Sequence, residues 1–296
     1  MDSVPLIPFG PKATCTLDLC SIEMSVLAYR PILGVNIAFI CLFTALTFAH
    51  TIIGVKWKSW WFLGCMVVGC VAEIIGYAGR IILFYNPFSF AGFMSQIICI
   101  GVAPVFFSAA IYVTMAKTVE NLDPSLSRIR PKFYYILFIS SDLFAGVFQS
   151  IGGGMSTSSS GSNRAAVDLS LAGLSYQVFS MVVFCAVLAD YLFRYSRSRE
   201  GATMTDRLRL FLIFLSIAIV LILIRCGYRV AELSDGYTGG LIQNEPLFIG
   251  LEGVLMVLAV FALCIGHPGL VFLLSEKGLK LSDAASDENG IMLRSC

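Results

Sequence analysis

Long apolar runs, separated by short polar stretches, occupy most of this chain. A helix needs roughly 20 mostly apolar residues to cross the hydrocarbon of a bilayer. Seven segments meet that length, so the pattern predicts an all-α membrane protein, a bundle of seven transmembrane helices. Their predicted bounds are 32–54, 60–84, 93–117, 133–154, 168–193, 208–232 and 246–268. The domain prediction is an N-terminal segment (1–31), a transmembrane domain (32–268) and a polar, disordered tail (269–296).

Composition narrows the class of protein further. The 296 residues are 57% hydrophobic and only 13% charged, about half the charged fraction of a typical soluble domain. No block of like charges suggests nucleic-acid binding. The sequence has no H-E-x-x-H, G-x-S-x-G or G-x-x-x-x-G-K-[ST] motif, so we expect neither an enzyme nor a nucleotide cofactor.

Loop charges predict the orientation in the membrane. On one side of the predicted helices lie Lys56, Lys58, Lys117, Arg128, Arg130, Lys132, Arg194, Arg197, Arg199, Arg207, Arg209, Lys277, Lys280 and Arg294. The other side has only Lys12, Arg30 and Arg164. Because basic loops stay in the cytosol, the N-terminus is predicted outside and the C-terminus inside.

Polar residues fall at helical spacing inside the apolar segments, where burying a charge costs at least ~2.5 kcal/mol. Helix 2 carries Glu73, Tyr77 and Arg80, and helix 6 carries Arg225, Tyr228, Arg229 and Glu232. The other candidate ligand-binding residues are Gln96, Asp142, Gln149, Gln177 and Glu252. At 1.5 Å per residue they lie between the midplane and the outside, which predicts a polar cavity that opens outward. A closed structural network, with Arg225 paired to an acid such as Glu73, is the alternative.

Histidines and cysteines add weaker signals. His50 and His267, near the inner ends of helices 1 and 7, are weak candidates for a metal or haem iron, because no cluster with ligand spacing surrounds them. The simpler interpretation is that each satisfies groups at a helix end. Cys15 and Cys20 lie on the predicted outer segment, where a disulfide is permitted, but sequence alone leaves their pairing open.

The order of short motifs resembles the RTA-like family of fungal seven-helix proteins, often called lipid-translocating exporters. The motifs are Tyr29-Arg30-Pro31; Leu46-Thr47 with His50; Glu73, Gly76-Tyr77 and Arg80; Ala103-Pro104 and Tyr112; Asp142, Gln149 and Gly152-Gly153-Gly154; Arg225, Arg229 and Glu232; and His267-Pro268-Gly269. The resemblance covers about residues 29–269. It implies a fungal membrane protein concerned with efflux or tolerance of sphingoid bases and sterol-like amphiphiles, or with porphyrin and haem traffic.

The leading functional hypothesis is a plasma-membrane exporter of a lipid or amphiphile, of sphingoid-base, sterol-like or porphyrin type, with a role in stress or drug resistance. Its partners would be the bilayer and an amphiphilic small molecule. A seven-helix receptor or sensor, and an intramembrane haem-binding protein or enzyme, are the alternatives. The sequence leaves the ligand, the direction, the coupling and the oligomeric state open.

We predict that a short epitope tag at residue 1 reacts with membrane-impermeant reagents in intact cells, because the basic loops hold the opposite side in the cytosol. The measurement is labelling of intact against permeabilised cells, and a tag after residue 296 is the control that labels only after permeabilisation. Shielding of the tag at residue 1 in intact cells would contradict the orientation.

Overall fold

Seven long helices form the described part of the chain in the computed structural model, and this confirms the predicted fold class. The model describes residues 7, 10, 13–158, 164–198, 205–236 and 239–269, with the backbone alone at 156–158. The helices are α1 (Leu33–Lys56), α2 (Trp60–Tyr85), α3 (Phe90–Asn121), α4 (Pro131–Ser158), α5 (Arg164–Arg197), α6 (Asp206–Ser234) and α7 (Glu245–Ile265). The predicted disorder of the tail concerns residues outside the described part. The orientation of the termini stays a prediction.

Several helices are longer than the apolar runs that predicted them. The helix α5 runs from Arg164 to Arg197, where the apolar pattern indicated 168–193. Apolar character marks only the hydrocarbon layer, and Arg, Lys and Glu are good helix formers that continue the helix beyond it. At the other extreme, α7 ends at Ile265, three residues before the predicted end. Pro268 follows closely, and the helix ends before it because proline disfavours helical backbone ahead of it.

The helix α7 contains an irregular stretch that the sequence did not indicate. Its backbone widens into a π-helix over Phe248–Val254, between α-helical residues on either side. At its start, the Asn244 side chain accepts a hydrogen bond from the Leu247 N–H at 3.3 Å. A π-turn changes the angular spacing of side chains, and such turns are frequent at functional sites. Here it determines the directions of Phe248 and Glu252.

The helices follow one another around the bundle. Each of α1 to α6 contacts the next helix along the chain, and α7 packs against both α6 and α1, which closes the ring. The helix α3 also contacts α6 across the bundle, and it is the most buried of the seven. The helix α3 therefore packs against α2, α4 and α6.

Glycines bring two helix pairs very close together. A Cβ added at Gly79 of α2 would lie 2.8 Å from the carbonyl oxygen of Gly92 in α3, and a Cβ at Gly92 would lie 3.0 Å from that of Gly79. In the α4–α5 pair, a Cβ at Gly152 would lie 2.6 Å from the Ala166 carbonyl oxygen. Small residues allow such close backbone contact, a common basis of helix association in membranes.

The N-terminal segment folds over one end of the bundle, here called the N-terminal face. Leu27 packs with Leu83, Phe93 and Ile242. The Arg30 side chain donates to the Phe84 carbonyl at 2.9 Å. In the same segment, a disulfide joins Cys15 and Cys20.

We predict that Gly79→Ala lowers the thermal unfolding midpoint of the protein in detergent, because the new methyl group would clash with the backbone of α3. Overpacking of this kind costs ~1–3 kcal/mol. The control is Gly64→Ala in the same helix, where nothing lies within 4 Å of an added Cβ. That change should raise stability slightly, since alanine is the better helix former by ~0.5–1 kcal/mol. Equal midpoints for both variants would show that the close approach is not tight.

Candidate functional site

Most of the predicted site residues face the interior of the bundle. Of the twelve candidates, ten have less than a tenth of their surface exposed, and Arg229 and Gln149 are half-buried. The ten are Glu73, Tyr77, Arg80, Gln96, Asp142, Gln177, Arg225, Tyr228, Glu232 and Glu252. None of the twelve lies on the exposed surface that would face lipid. Their side chains, however, form several separate groups.

Arg225 and Glu252 form the central ion pair, and both side chains are almost completely buried. The Arg225 guanidinium also donates to the Ile100 carbonyl of α3 at 2.7 Å. One helical turn further, Arg229 forms an ion pair with Glu232 and lies 4.0 Å from Glu252. In the alternative of a closed network, Glu73 was the example of an acid partner for Arg225, and the structure has Glu252 in that place. The π-turn of α7 places Glu252 against Arg225, and spacing within single helices could not reveal this.

Arg80 anchors a second group at the N-terminal face. It donates to the Asn36 side chain at 3.0 Å, to the Tyr29 hydroxyl at 3.1 Å and to Glu245 at 3.2 Å. Its guanidinium lies 4.0 Å from the centre of the Phe248 ring, a cation–π contact. Burial raises the pKa of the Tyr29 hydroxyl, while the charge of Arg80 lowers it.

Three residues in that second group are absent from the sequence-based candidates. Tyr29 and Glu245 lie just outside the predicted helices, and Asn36 is an isolated polar residue near the start of helix 1. The sequence offered two signals: Tyr29 belongs to the Tyr29-Arg30-Pro31 motif, and Glu245 precedes a proline at the start of a helix.

Two buried acids have no arginine partner in the described part of the chain. Glu73 is fully buried, and neither of its carboxylate oxygens has a hydrogen-bond partner among the described residues. In Asp142, one oxygen accepts from the Tyr112 hydroxyl at 3.0 Å, and the other has no described partner. A buried carboxylate without a partner is costly, and a cation or a proton offsets that cost. These two acids are therefore the strongest candidates for reversible binding of a cation or a proton.

Amides connect α4 and α5. The Gln149 amide donates to the Gln177 side-chain oxygen at 2.8 Å, and Ser170 donates to the Gln149 carbonyl at 3.3 Å. On α3, the Gln96 side-chain oxygen is buried and has no partner within the described residues. The Gln149–Gln177 bond is the kind of interhelical contact that stabilises membrane bundles.

A small cavity lies among α3, α4, α5 and α6. It has a volume of about 40 Å³, which is room for roughly three water molecules. Arg225, Arg229 and Gln149 line it, but Glu73 and Glu252 do not. This cavity therefore brings together the two arginines but not Glu73 and Glu252, and a wider cavity shared by all four stays a prediction. The π-turn directs Glu252 into the ion pair, and Glu73 is fully buried on α2.

Both histidines are held by neighbouring groups. His50 Nε2 lies 3.2 Å from the Val260 carbonyl and 3.1 Å from Cys264 Sγ. His267 accepts from the Gly269 N–H at Nδ1 (3.1 Å), and its Nε2 lies 3.2 Å from Ser59 Oγ. Burial lowers the pKa of His267 to about 4, so the ring is neutral. Within the described residues, no group of three or more His, Cys, Asp or Glu side chains could hold a metal ion.

Comparison with known proteins gives one family and several relatives. Residues 66–275 match the family described as "RTA1 like protein". The chain is 29% identical to the sphingoid long-chain base transporter RSB1 of Saccharomyces cerevisiae, over 82% of this chain and 73% of that one. It is 28% identical to protoporphyrin uptake protein 1 of the same yeast, over 67% and 66% of the two chains, and 26% identical to protein RTM1, over 67% and 64%. No solved structure matches the chain significantly.

We predict that Arg225→Ala strongly lowers the thermal unfolding midpoint, because it leaves Glu252 buried without its partner. Breaking a buried pair typically costs ~3–5 kcal/mol. The double variant Arg225→Ala with Glu252→Gln should regain part of the loss, since neither position of the pair then leaves a buried charge without its partner. Arg207→Ala, at an exposed position of the same helix, is the control. A single variant as stable as this control would contradict a structural role for the pair.

Proposed function

The chain belongs to the RTA1-like protein family, and from that premise we propose that it transports a lipid-like amphiphile across the membrane. The observation that carries the proposal is Glu73, a fully buried carboxylate without a partner among the described residues, beside a group of paired arginines. A purely structural network would pair this acid as it pairs Glu252. Leaving it unpaired is costly, and a transported cation or a proton offsets that cost.

The substrate class proposed is a long-chain amine of the sphingoid-base type. One relative is named for transport of sphingoid long-chain bases, which carry an amine on a long alkyl chain. All three buried arginines already have acids beside them, whereas Glu73 and Asp142 do not. The uncompensated charge inside the bundle is therefore negative, and it is complementary to an ammonium headgroup.

Transport in this proposal uses no nucleotide. Glu73 would exchange a proton for the substrate amine, so that its charge is always offset while the substrate passes. Movement is then passive or coupled to protons. We place the protein in the plasma membrane with the N-terminal face outside, as the basic loops indicate, and its export activity would protect cells from toxic amphiphiles.

The relative named for protoporphyrin uptake supports a second substrate class, an amphiphile with carboxylates. The observation in its favour is that Arg225 and Arg229 line the small cavity. Both arginines already have carboxylate partners, so a second carboxylate would have to displace one of them. We therefore rank the amine first.

We predict that purified protein in lipid vesicles moves sphinganine across the bilayer faster than empty vesicles do, and that Glu73→Gln slows this movement about tenfold or more. A hydrogen bond to a charged group contributes ~1.5–3 kcal/mol, which corresponds to that ratio. The measurement is the initial rate at which labelled sphinganine leaves the inner leaflet.

Glu120→Gln is the matched control, because Glu120 lies at an exposed position near the end of α3. Its rate should equal that of the wild type. Rates no higher than those of empty vesicles would refute the proposed transport. Saturable binding of sphinganine without flux would indicate the receptor alternative instead.

A further inference from the structure

A groove between α3 and α4 opens on the side of the bundle that faces lipid. Its volume is about 300 Å³. Val102, Val105 and Phe106 line it from α3, and Asp142, Leu143, Gly146, Val147, Ser150 and Ile151 line it from α4. Leu143, Val147 and Ile151 are each about half exposed, which places the rim of the groove at the lipid surface. Apart from Asp142 and Ser150, the lining is what an alkyl chain would contact.

The acidic residue of the lining is Asp142. Its side chain is 1% exposed, yet it contributes to the lining of this groove. The Tyr112 hydroxyl holds Oδ2 at 3.0 Å, and Oδ1 has no hydrogen-bond partner among the described residues. Tyr112 itself packs against Phe138 and Phe184, with ring centres 5.5 Å and 4.5 Å away. The carboxylate is thus held in one direction by an aromatic wall, with one oxygen left for a partner.

The position of Asp142 along α4 places its carboxylate deep in the membrane. Asp142 lies 11 residues after Pro131, the first residue of α4, which is about 16 Å along the helix. That is near the middle of a hydrocarbon layer roughly 30 Å thick. An ammonium group is hardest to accommodate at this depth, so a carboxylate here has its largest effect on a headgroup that crosses the membrane.

The groove also adjoins the small cavity inside the bundle. Val102 and Ser150 line both spaces, and the cavity beyond them is lined by Arg225 and Arg229. A headgroup in the groove therefore lies one side chain away from the buried charge cluster. On α4, Gly146 faces open space, since nothing lies within 4 Å of an added Cβ. The absence of a side chain there keeps the groove open next to Asp142.

We propose that the α3–α4 groove is the lateral site at which a long-chain amine binds from the bilayer, with its ammonium group on Asp142 and its alkyl chain left among the lipids. The proposal rests on the proposed transport function and adds the entry side, the headgroup chemistry and the binding residue. Tyr112 is the positioning residue that holds the carboxylate. The apolar rim excludes water, so the amine meets the carboxylate without competition from solvent.

The test measures sphinganine flux in vesicles for Asp142→Asn, which keeps the shape and removes the charge, and for Gly146→Leu, which fills the groove. We expect each to reduce the flux about tenfold or more relative to wild type.

Gly64→Leu is the control for Gly146→Leu, because Gly64 also faces open space but lies outside the groove. Its flux should match that of the wild type. Thermal unfolding midpoints verify that the variants are folded. In Gly146→Leu the new side chain enters open space, so this variant remains informative if Asp142→Asn does not fold.

Competition distinguishes charge recognition from steric effects. Excess octadecylamine should inhibit wild-type flux of labelled sphinganine, whereas the uncharged N-acetyl-sphinganine should not. If the wild type transports sphinganine and folded Asp142→Asn or Gly146→Leu transports it equally fast, the groove is not the binding site, and the transport function still stands. Equal inhibition by the charged and uncharged competitors would overturn the assignment of the ammonium to Asp142. Absence of wild-type flux would overturn the transport function and, with it, this site.

Discussion

The requirement that a charge in hydrocarbon be compensated shapes this bundle, and the ion pair of Arg225 with Glu252 is its main expression. The pair joins α6 to α7, and the bond from Arg225 to the Ile100 carbonyl extends the contact to α3. The π-turn in α7 places Glu252 at this point. The helix α3 also contacts α6 across the bundle. The Arg225 guanidinium therefore lies where α3, α6 and α7 meet.

The buried polar residues divide into two sets with different roles. Each buried arginine has an acid and further acceptors or aromatic contacts, so a structural role accounts for it. Glu73 and Asp142 are different, because each keeps carboxylate oxygens without a partner in the described part of the chain. A membrane protein that retains such groups bears a cost in stability that folding alone does not explain. This asymmetry leaves two carboxyl groups of the described interior without an arginine partner.

Much of this architecture could be predicted from the sequence, but the pairing within it could not. Apolar runs gave seven helices because the hydrocarbon layer imposes a minimum length, and helical spacing correctly indicated that Glu73 and Arg225 face inward. Partners depend on how helices cross and on the π-turn, so the sequence could not identify Glu252 as the acid that pairs with Arg225. The α3–α4 groove escaped notice for a related reason: residues such as Leu143 look like any lipid-facing surface, and only the fold shows the space beside them.

The glycine contacts have a mechanical consequence. Where the backbones of α2 and α3 touch at Gly79 and Gly92, no flexible side chains lie between them to absorb sliding, and the same holds for α4 and α5 at Gly152. Each pair is then a stiff unit, in which the close contact resists sliding of one helix along the other. The boundary between α3 and α4, where the groove opens, separates these two units. A rearrangement of the bundle that keeps both glycine contacts would therefore have to occur between the units and not within either of them.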